Sequence, residues 1–335
     1  MAHPERSEPG KMTGPQVTFI IPAYNAESTL ESAIASVMRQ RGASFELIIV
    51  DDGSTDSTRL IGESVAARHD DVFAISQRNR GTAAALNRGL ETARGRLVAH
   101  LDADDEFTDD YLQTMCLFID AHPGFDMYSH NLWRLERDGT RELVFDVDVT
   151  HSVTLDEFLV TGCVNGPGTL VRRELMDRLR GYTVGIYNED YEFWLRALMA
   201  GARHLYCPEP LYLYRTREGQ KTSDRLAVFE DLIKILENVI AREVLDEKQS
   251  DAAEATLERF QRSLRDTRLY GRTEDAVLWE AGEASAASLR RFLARFLPES
   301  MVDGAVRALH RVTWIVRPLR MSLWKVRARI ESKRG

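Results

Sequence analysis

Cysteine is scarce in this sequence. The 335 residues contain three, Cys116, Cys163 and Cys207, widely spaced and without a C-x-x-C pair. So few scattered thiols suit a reducing, cytoplasmic compartment and offer neither a disulfide framework nor a zinc site. Long apolar runs are missing too: no stretch of about 18 uncharged apolar residues occurs, so no transmembrane helix is expected. Residues 1–15 are polar, broken by Pro4, Pro9, Gly10, Gly14 and Pro15, and lack an apolar h-region. They read as a disordered lead-in and not as a secretory signal. Positive charge does not dominate either. A net charge of -8 argues against general nucleic-acid binding. Neither G-x-x-x-x-G-K-[ST] nor G-x-G-x-x-G is present, which removes the usual glycine cradles for phosphate. No internal repeat is visible.

What is present is an alternation. Short apolar runs at Val17–Pro22, Phe45–Val50, Val72–Gln77 and Leu97–Leu101 read as strands. Between them lie helical patterns through Leu30–Met38, Asp56–His69 and Thr82–Arg94. This order implies an α/β fold with a mostly parallel, doubly wound sheet, and the unbroken apolarity of the runs suits strands covered on both faces. After Asp110 the pattern changes. Tyr111–Ala121 is helical, 126–149 reads as strands with a hairpin near Asp138-Gly139, and Thr154–Val160 and Asp190–Met199 are short helices. Strands follow near 203–206 and 210–214. From Leu226 onward the spacing is helical, with further helices near 250–265, 275–296 and 301–330. The domains expected are a disordered 1–15, a catalytic 16–225, a helical extension 226–300 and a basic amphipathic tail 301–335. That tail carries nine Lys and Arg against Asp303 and Glu331, which leaves the rest of the chain strongly acidic.

Two acidic clusters end two of the expected strands. Asp51-Asp52-Gly53-Ser54 follows the second, where a carboxylate can accept from a base or a ribose; the same letters also make a turn or a helix cap. Asp102-Ala103-Asp104-Asp105 follows the fourth. Carboxylates and a diphosphate repel unless a cation lies between them, and Mn2+ or Mg2+ prefers such hard oxygen ligands. The alternative is an acidic turn capping the helix at 108–121. Together the clusters suggest a sheet that holds its nucleotide by carboxylates and a divalent metal.

Several segments, in order and at the right spacing, resemble family 2 glycosyltransferases of the GT-A fold. They are Ile20-Ile21-Pro22-Ala23-Tyr24-Asn25, Val50 to Asp56, Asn79-Arg80-Gly81, Asn87-Arg88-Gly89, Leu101 to Asp105, and Asn188 to Arg196. The resemblance covers roughly residues 15–220. It implies that Pro22, Tyr24, Glu27, Asp52 and Asn79 line the donor nucleotide site. It further implies that Asp102 faces the ribose or sugar, that Asp104 is the metal ligand, and that Asp190, beside Glu189, is the base of an inverting transfer. The partners implied are a nucleoside-diphosphate-sugar donor and a glycan or glycolipid acceptor. A carboxylate base fits the chemistry, because an acceptor hydroxyl must lose its proton as it attacks; Glu189-Asp190 also reads as a helix N-terminus.

One departure stands out. The position where the family often carries a histidine is Arg217, which cannot ligate a metal. Arg215, Arg217 or Lys221 would pair with the diphosphate directly, or would be solvated loop charges. The glycine-rich run from Gly162 and Cys163 to Thr169 permits close approach of an acceptor sugar or is a plain turn. Trp133, Tyr187 and Trp194 are candidates for sugar stacking, with Trp194 spaced as a core residue. The tail interleaves Trp314, Ile315, Leu319, Leu323 and Trp324 with arginines, as a membrane-surface helix would, or as one packed on protein. Two rival functions remain: transfer onto a polyprenyl phosphate, which is already anionic and needs no base, and a non-catalytic nucleotide-sugar-binding or assembly protein.

Overall fold

A computed structural model describes residues 15–136, 139–144, 149–162, 164, 166–217 and 220–270. The expectations for the N-terminal lead-in, Asp138, Cys163, the helices near 275–296 and 301–330 and the basic tail lie outside the described residues. The chain runs β1 (Val17–Ala23), α1 (Leu30–Met38), β2 (Phe45–Asp51), α2 (Thr58–Ala66), β3 (Val72–Ser76), α3 (Thr82–Thr92) and β4 (Leu97–His100). It continues with β5 (Glu106–Phe107), α4 (Tyr111–Ala121), β6 (Met127–Leu135), β7 (Arg141–Leu143), α5 (Leu155–Thr161), β8 (Leu170–Arg172) and α6 (Arg173–Leu179). The described residues end with α7 (Glu189–Met199), β9 (His204–Arg215), a 3-10 turn (Lys221–Ser223), α8 (Arg225–Ile240) and α9 (Glu247–Tyr270).

One sheet carries the molecule, in the order β3-β2-β1-β4-β8-β6-β9-β5, with β7 hydrogen-bonded to β6. The half from β3 to β4 is parallel throughout. The other half is mixed: β8 is antiparallel to both β4 and β6, β9 is parallel to β6, and β5 is antiparallel to β9. Helices cover both faces. Along β1, Val17, Phe19, Ile21 and Ala23 join a core with α1 and α4, whereas Ile20 faces a second core containing α3, α5, α7, α8 and α9. That alternation is the two-residue period of a strand buried on both sides. Trp194 is fully buried in the second core, as its spacing suggests.

The early strands and helices appear where the periodicity places them. The strands expected near 203–206 and 210–214 are instead one strand. It pairs with β6 along its whole length and bulges where His130 faces Cys207 but Asn131 faces Pro210. Pro208 and Pro210 have no N–H for the ladder, so the chain absorbs them in the bulge. Helix α6 carries no signal in the reading above. Gly89 has a packing explanation: a Cβ there would lie 2.6 Å from Ile20 Cγ2, so α3 sits closer to the sheet than any side chain permits. Neighbouring Asn87 accepts from Tyr182 N at 2.8 Å and donates to Tyr182 O at 2.7 Å. The Asn87-Arg88-Gly89 segment is thus a structural joint. Among the described residues no helix is long and apolar enough to cross a membrane.

Candidate active site

In a parallel sheet the loops after the strands open at one edge, and here the carboxylates gather there. The loop after β1 is zipped to the loop after β2. Asn25 takes the left-handed backbone (φ 48°). Its side chain accepts from Thr55 N at 2.9 Å, while Ala26 N and Glu27 N donate to Thr58 Oγ1 and Asp56. Glu27, in turn, accepts from Ser57 N at 3.0 Å. Asp52 is 4% exposed. Its carboxylate accepts from the backbone of Arg80 and Gly81 at 2.9 and 2.8 Å and from Gln77 Nε2 at 2.8 Å. It clamps the loop after β3 instead of capping α2. The close approach needs Gly53, where φ is 76° and a Cβ would lie 2.7 Å from Asn79 N. Around this clamp Tyr24, Glu27 and Asn79 are exposed and Pro22 is half-buried.

The second cluster has a different construction. Asp102, Asp104 and Asp105 bring carboxylate oxygens within 4.8 Å of one another. None of them caps α4, whose N-cap is Asp110. Asp105 is buried, accepting from Tyr212 OH at 2.9 Å and from the backbone of Arg215 at 2.8 Å. Burial, with Asp102 and Asp104 beside it, raises its pKa well above the usual carboxylate range. Burial likewise pushes Asp102 up to about 7, helped by the charges of Asp104 and Glu189. Carboxylates crowded this closely repel one another, and a cation relieves that repulsion. The donor set is all hard oxygen, so it fits Mn2+ or Mg2+; with Asp105 tied to β9, Asp102 and Asp104 are the carboxylates that would hold the ion, although Asp104 also pairs with Arg217.

Helix α7 supplies the third group. Its first turn holds Glu189, Asp190 and Glu192, a favourable place for negative charge. The N-cap is Asn188, anchored to α8 by its N–H and side chain on Asp231. Glu189 is buried, pairs with Lys221, and has its pKa raised by burial against that lysine's pull. Asp190 accepts from Tyr191 N at 2.7 Å, and its other oxygen faces the Gly166 backbone. A Cβ on Gly166 would come within 2.5 Å of that oxygen, so only a glycine lets this turn pack so closely on the carboxylate. Asp102 feels both Asp104 and the Glu189-Asp190 pair, so these groups share one electrostatic neighbourhood. Asp52 stands apart, at the end of β2 on the far side of β1 from β4. Ordinary strand spacing makes that about 10 Å.

The three basic candidates are all paired. Arg215 bridges to Glu106, Lys221 to Glu189, and Arg217 to Asp104, with Arg217 Nε 2.7 Å from Asp104 Oδ2. They are therefore not simply solvated charges. Lys221 Nζ also lies 4.9 Å from the centre of the Tyr187 ring, whose hydroxyl donates to Lys221 O. Sequence reasoning left Asp105 without a role of its own and missed Tyr212, His100, Tyr182 and the specific place of Gly166. Buried His100, its pKa lowered to about 4 by burial, lies 3.4 Å from Tyr182 OH and senses Asp190. Tyr212 comes from β9 and Tyr182 from the turn before α7, each more than 80 positions from its partner, and no local spacing signals them.

Comparison with known proteins agrees with this architecture. The sequence model of Glycosyl transferase family 2 matches residues 18–178. The putative teichuronic acid biosynthesis glycosyltransferase TuaG of Bacillus subtilis is 31% identical over 216 residues, which is 63% of this chain and 83% of that protein. Of another, longer curated relative the chain spans only 31%. A crystal structure of S. aureus TarS in complex with UDP-GlcNAc superposes with a TM-score of 0.62 at 22% identity, covering 90% of this chain and 86% of that one. The mannosyltransferase PcManGT from Pyrobaculum calidifontis, in complex with GDP-Man and Mn2+, superposes with a TM-score of 0.55 at 20% identity, covering 90% and 87%. At these identities the two superpositions speak for the shared GT-A fold.

Proposed function

This chain belongs to glycosyl transferase family 2, and from that premise we propose that it transfers a sugar, with inversion, from a nucleoside-diphosphate donor to an acceptor hydroxyl. The acceptor would be a growing glycan or glycolipid of the cell envelope, as the name of TuaG suggests, and the reaction would be cytoplasmic. The observation that carries this reading is the acidic trio that follows β4, with Asp190 packed on the Gly166 turn whose Gly168 N–H donates to His100 O at 2.9 Å, two residues before Asp102. A donor whose diphosphate lies at Asp102 and Asp104 then has its anomeric carbon directed toward Asp190.

Asp190 takes the acceptor's proton as that oxygen attacks, and the bond from the anomeric carbon to the diphosphate breaks on the opposite face. Asp190 is half-buried, so its carboxylate remains within reach of an incoming hydroxyl. Glu189 is held by Lys221 and fixes the first turn of α7, so the base stands on a rigid helix. Asp102 and Asp104 would hold a divalent ion, which when bound offsets the charge that grows on the departing diphosphate. On the nucleotide side, Asp52 shapes the pocket through the loop at 77–81, and Pro22, Tyr24, Glu27 and Asn79 line it. The intact base counts against a polyprenyl-phosphate acceptor.

Asp190→Asn tests the assignment. Transfer should fall on the order of 10²–10⁴-fold, while affinity for the nucleoside diphosphate, read by calorimetry, should stay within about twofold. Equal loss of both would remove Asp190 from the role of base. A thermal-shift series with UDP-, GDP- and dTDP-sugars plus Mn2+ identifies the donor, since a ligand that binds the native state raises its melting temperature.

A further inference from the structure

Arg217 stands where a metal ligand would be expected, yet its side chain is seated on the carboxylate expected to bind the metal. Its Nε lies 2.7 Å and its Nη2 2.5 Å from Asp104 Oδ2. We propose that Arg217 is the resident counter-ion of this site: it holds Asp104 while no divalent ion is bound, competes with the ion for that oxygen, and on being displaced pairs with the donor's diphosphate. The inference rests on the glycosyltransferase reading of the same site.

Three features support it. The first is charge. Asp102, Asp104 and Asp105 crowd together, and a guanidinium, which stays protonated at any working pH, relieves them without a metal. The second is the contrast with its neighbours. Arg215 is committed to Glu106, and its backbone N–H to Asp105; Lys221 is committed to Glu189 and packed on the Tyr187 ring. Arg217 makes its ion pair with a carboxylate that has another task. The third is the ease of exchange. The guanidinium is 44% exposed, so its pair with Asp104 is weak enough for a doubly charged ion to replace. The backbone stays in place meanwhile, because Arg217 N donates to Gln220 Oε1 and Gln220 Nε2 donates to Arg215 O. A displaced guanidinium beside the ion then finds its nearest negative charge on the diphosphate, for which its fork of donors is suited.

The competition predicts effects of opposite sign from one substitution. In Arg217→Ala, affinity for Mn2+ alone, read from the loss of the free-ion EPR signal with no nucleotide present, should tighten about two- to fivefold. In the same variant with Mn2+ saturating, affinity for UDP or GDP, whichever the wild type binds, should weaken by about tenfold. Arg217→Lys should restore most of the Mn2+ behaviour. As Arg217 is half exposed, the melting temperature should shift by less than about 2 °C. Mn2+ affinity that is unchanged or weaker in Arg217→Ala overturns the proposal, as does a protein that binds no Mn2+ in either form. If UDP or GDP still binds in those cases, the donor-site reading survives. If neither nucleotide binds the wild type at any Mn2+ concentration, that reading fails as well.

Discussion

The two halves of the sheet hold negative charge by different means. In the parallel half, Asp51, Asp52, Asp56 and Glu27 are satisfied by backbone amides: Ser54 N on Asp51, Arg80 N and Gly81 N on Asp52, Glu27 N and Thr58 N on Asp56, and Ser57 N on Glu27. On the other side, Asp105 and Asp190 also accept from backbone amides, but Asp104, Glu106 and Glu189 are paired with side-chain cations, Arg217, Arg215 and Lys221. Amide donors are fixed by the fold and cannot leave while it persists. A side-chain cation swings away when a better partner arrives, at a cost of about 1 kcal/mol when the pair is exposed. The nucleotide end of the site is thus preformed, and at the end where charge changes during reaction Arg217, unlike the committed Arg215 and Lys221, is the exchangeable partner.

Gly166→Ala attacks the mixed half where it is least forgiving. The new Cβ would collide with Asp190 Oδ2, and a base displaced by about 1 Å costs on the order of 10²-fold in transfer. Donor affinity and melting temperature should hardly move. A loss confined to acceptor KM would mean that the glycine serves acceptor binding and not the base. Asp52→Ala attacks the preformed half. It strands the N–H groups of Arg80 and Gly81 and should destabilise the protein by about 2 kcal/mol, visible in urea melts. Loss of nucleotide affinity with no change in stability would show instead that Asp52 acts on the ligand and that the clamp is dispensable.

A change of slope, and not of level, separates the two means of holding charge by pH. His100 and His130 are held down to about 4, and His204 to about 3, in each case chiefly by burial. Below their ordinary 6.5 the unfolded chain binds more protons at these positions than the folded one, so stability rises as pH climbs from about 4 to 6.5. Asp102 works oppositely. With a folded pKa of about 7 against an ordinary 3.8, the folded state holds the extra proton, and stability falls as pH rises across that interval. In the metal-free protein, Asp102→Asn should therefore steepen the rise of stability between pH 4.5 and 6.5, by up to about 1.4 kcal/mol per pH unit. An unchanged slope would mean that Asp102 is ionised throughout and that the acidic cluster is already neutralised by its cations.

The sequence by itself determined the alternation that builds the parallel half, because two-residue and 3.6-residue apolar periods are local properties. It also marked the acidic ends of β2 and β4 and the start of α7, since a charge that abruptly follows a buried strand is visible without a structure. Its family resemblance set the class of reaction. Tertiary structure alone decided what those carboxylates touch. That Asp52 clamps a loop, that Asp105 is taken by Tyr212 and Arg215, that Gly89 seats α3 on Ile20 and Gly166 packs on Asp190, and that Arg217 sits on Asp104 all depend on pairings between segments about 25 to 113 positions apart. Such contacts are set by how strands and helices distant in sequence pack together, and that registry is a property of packing across the whole chain.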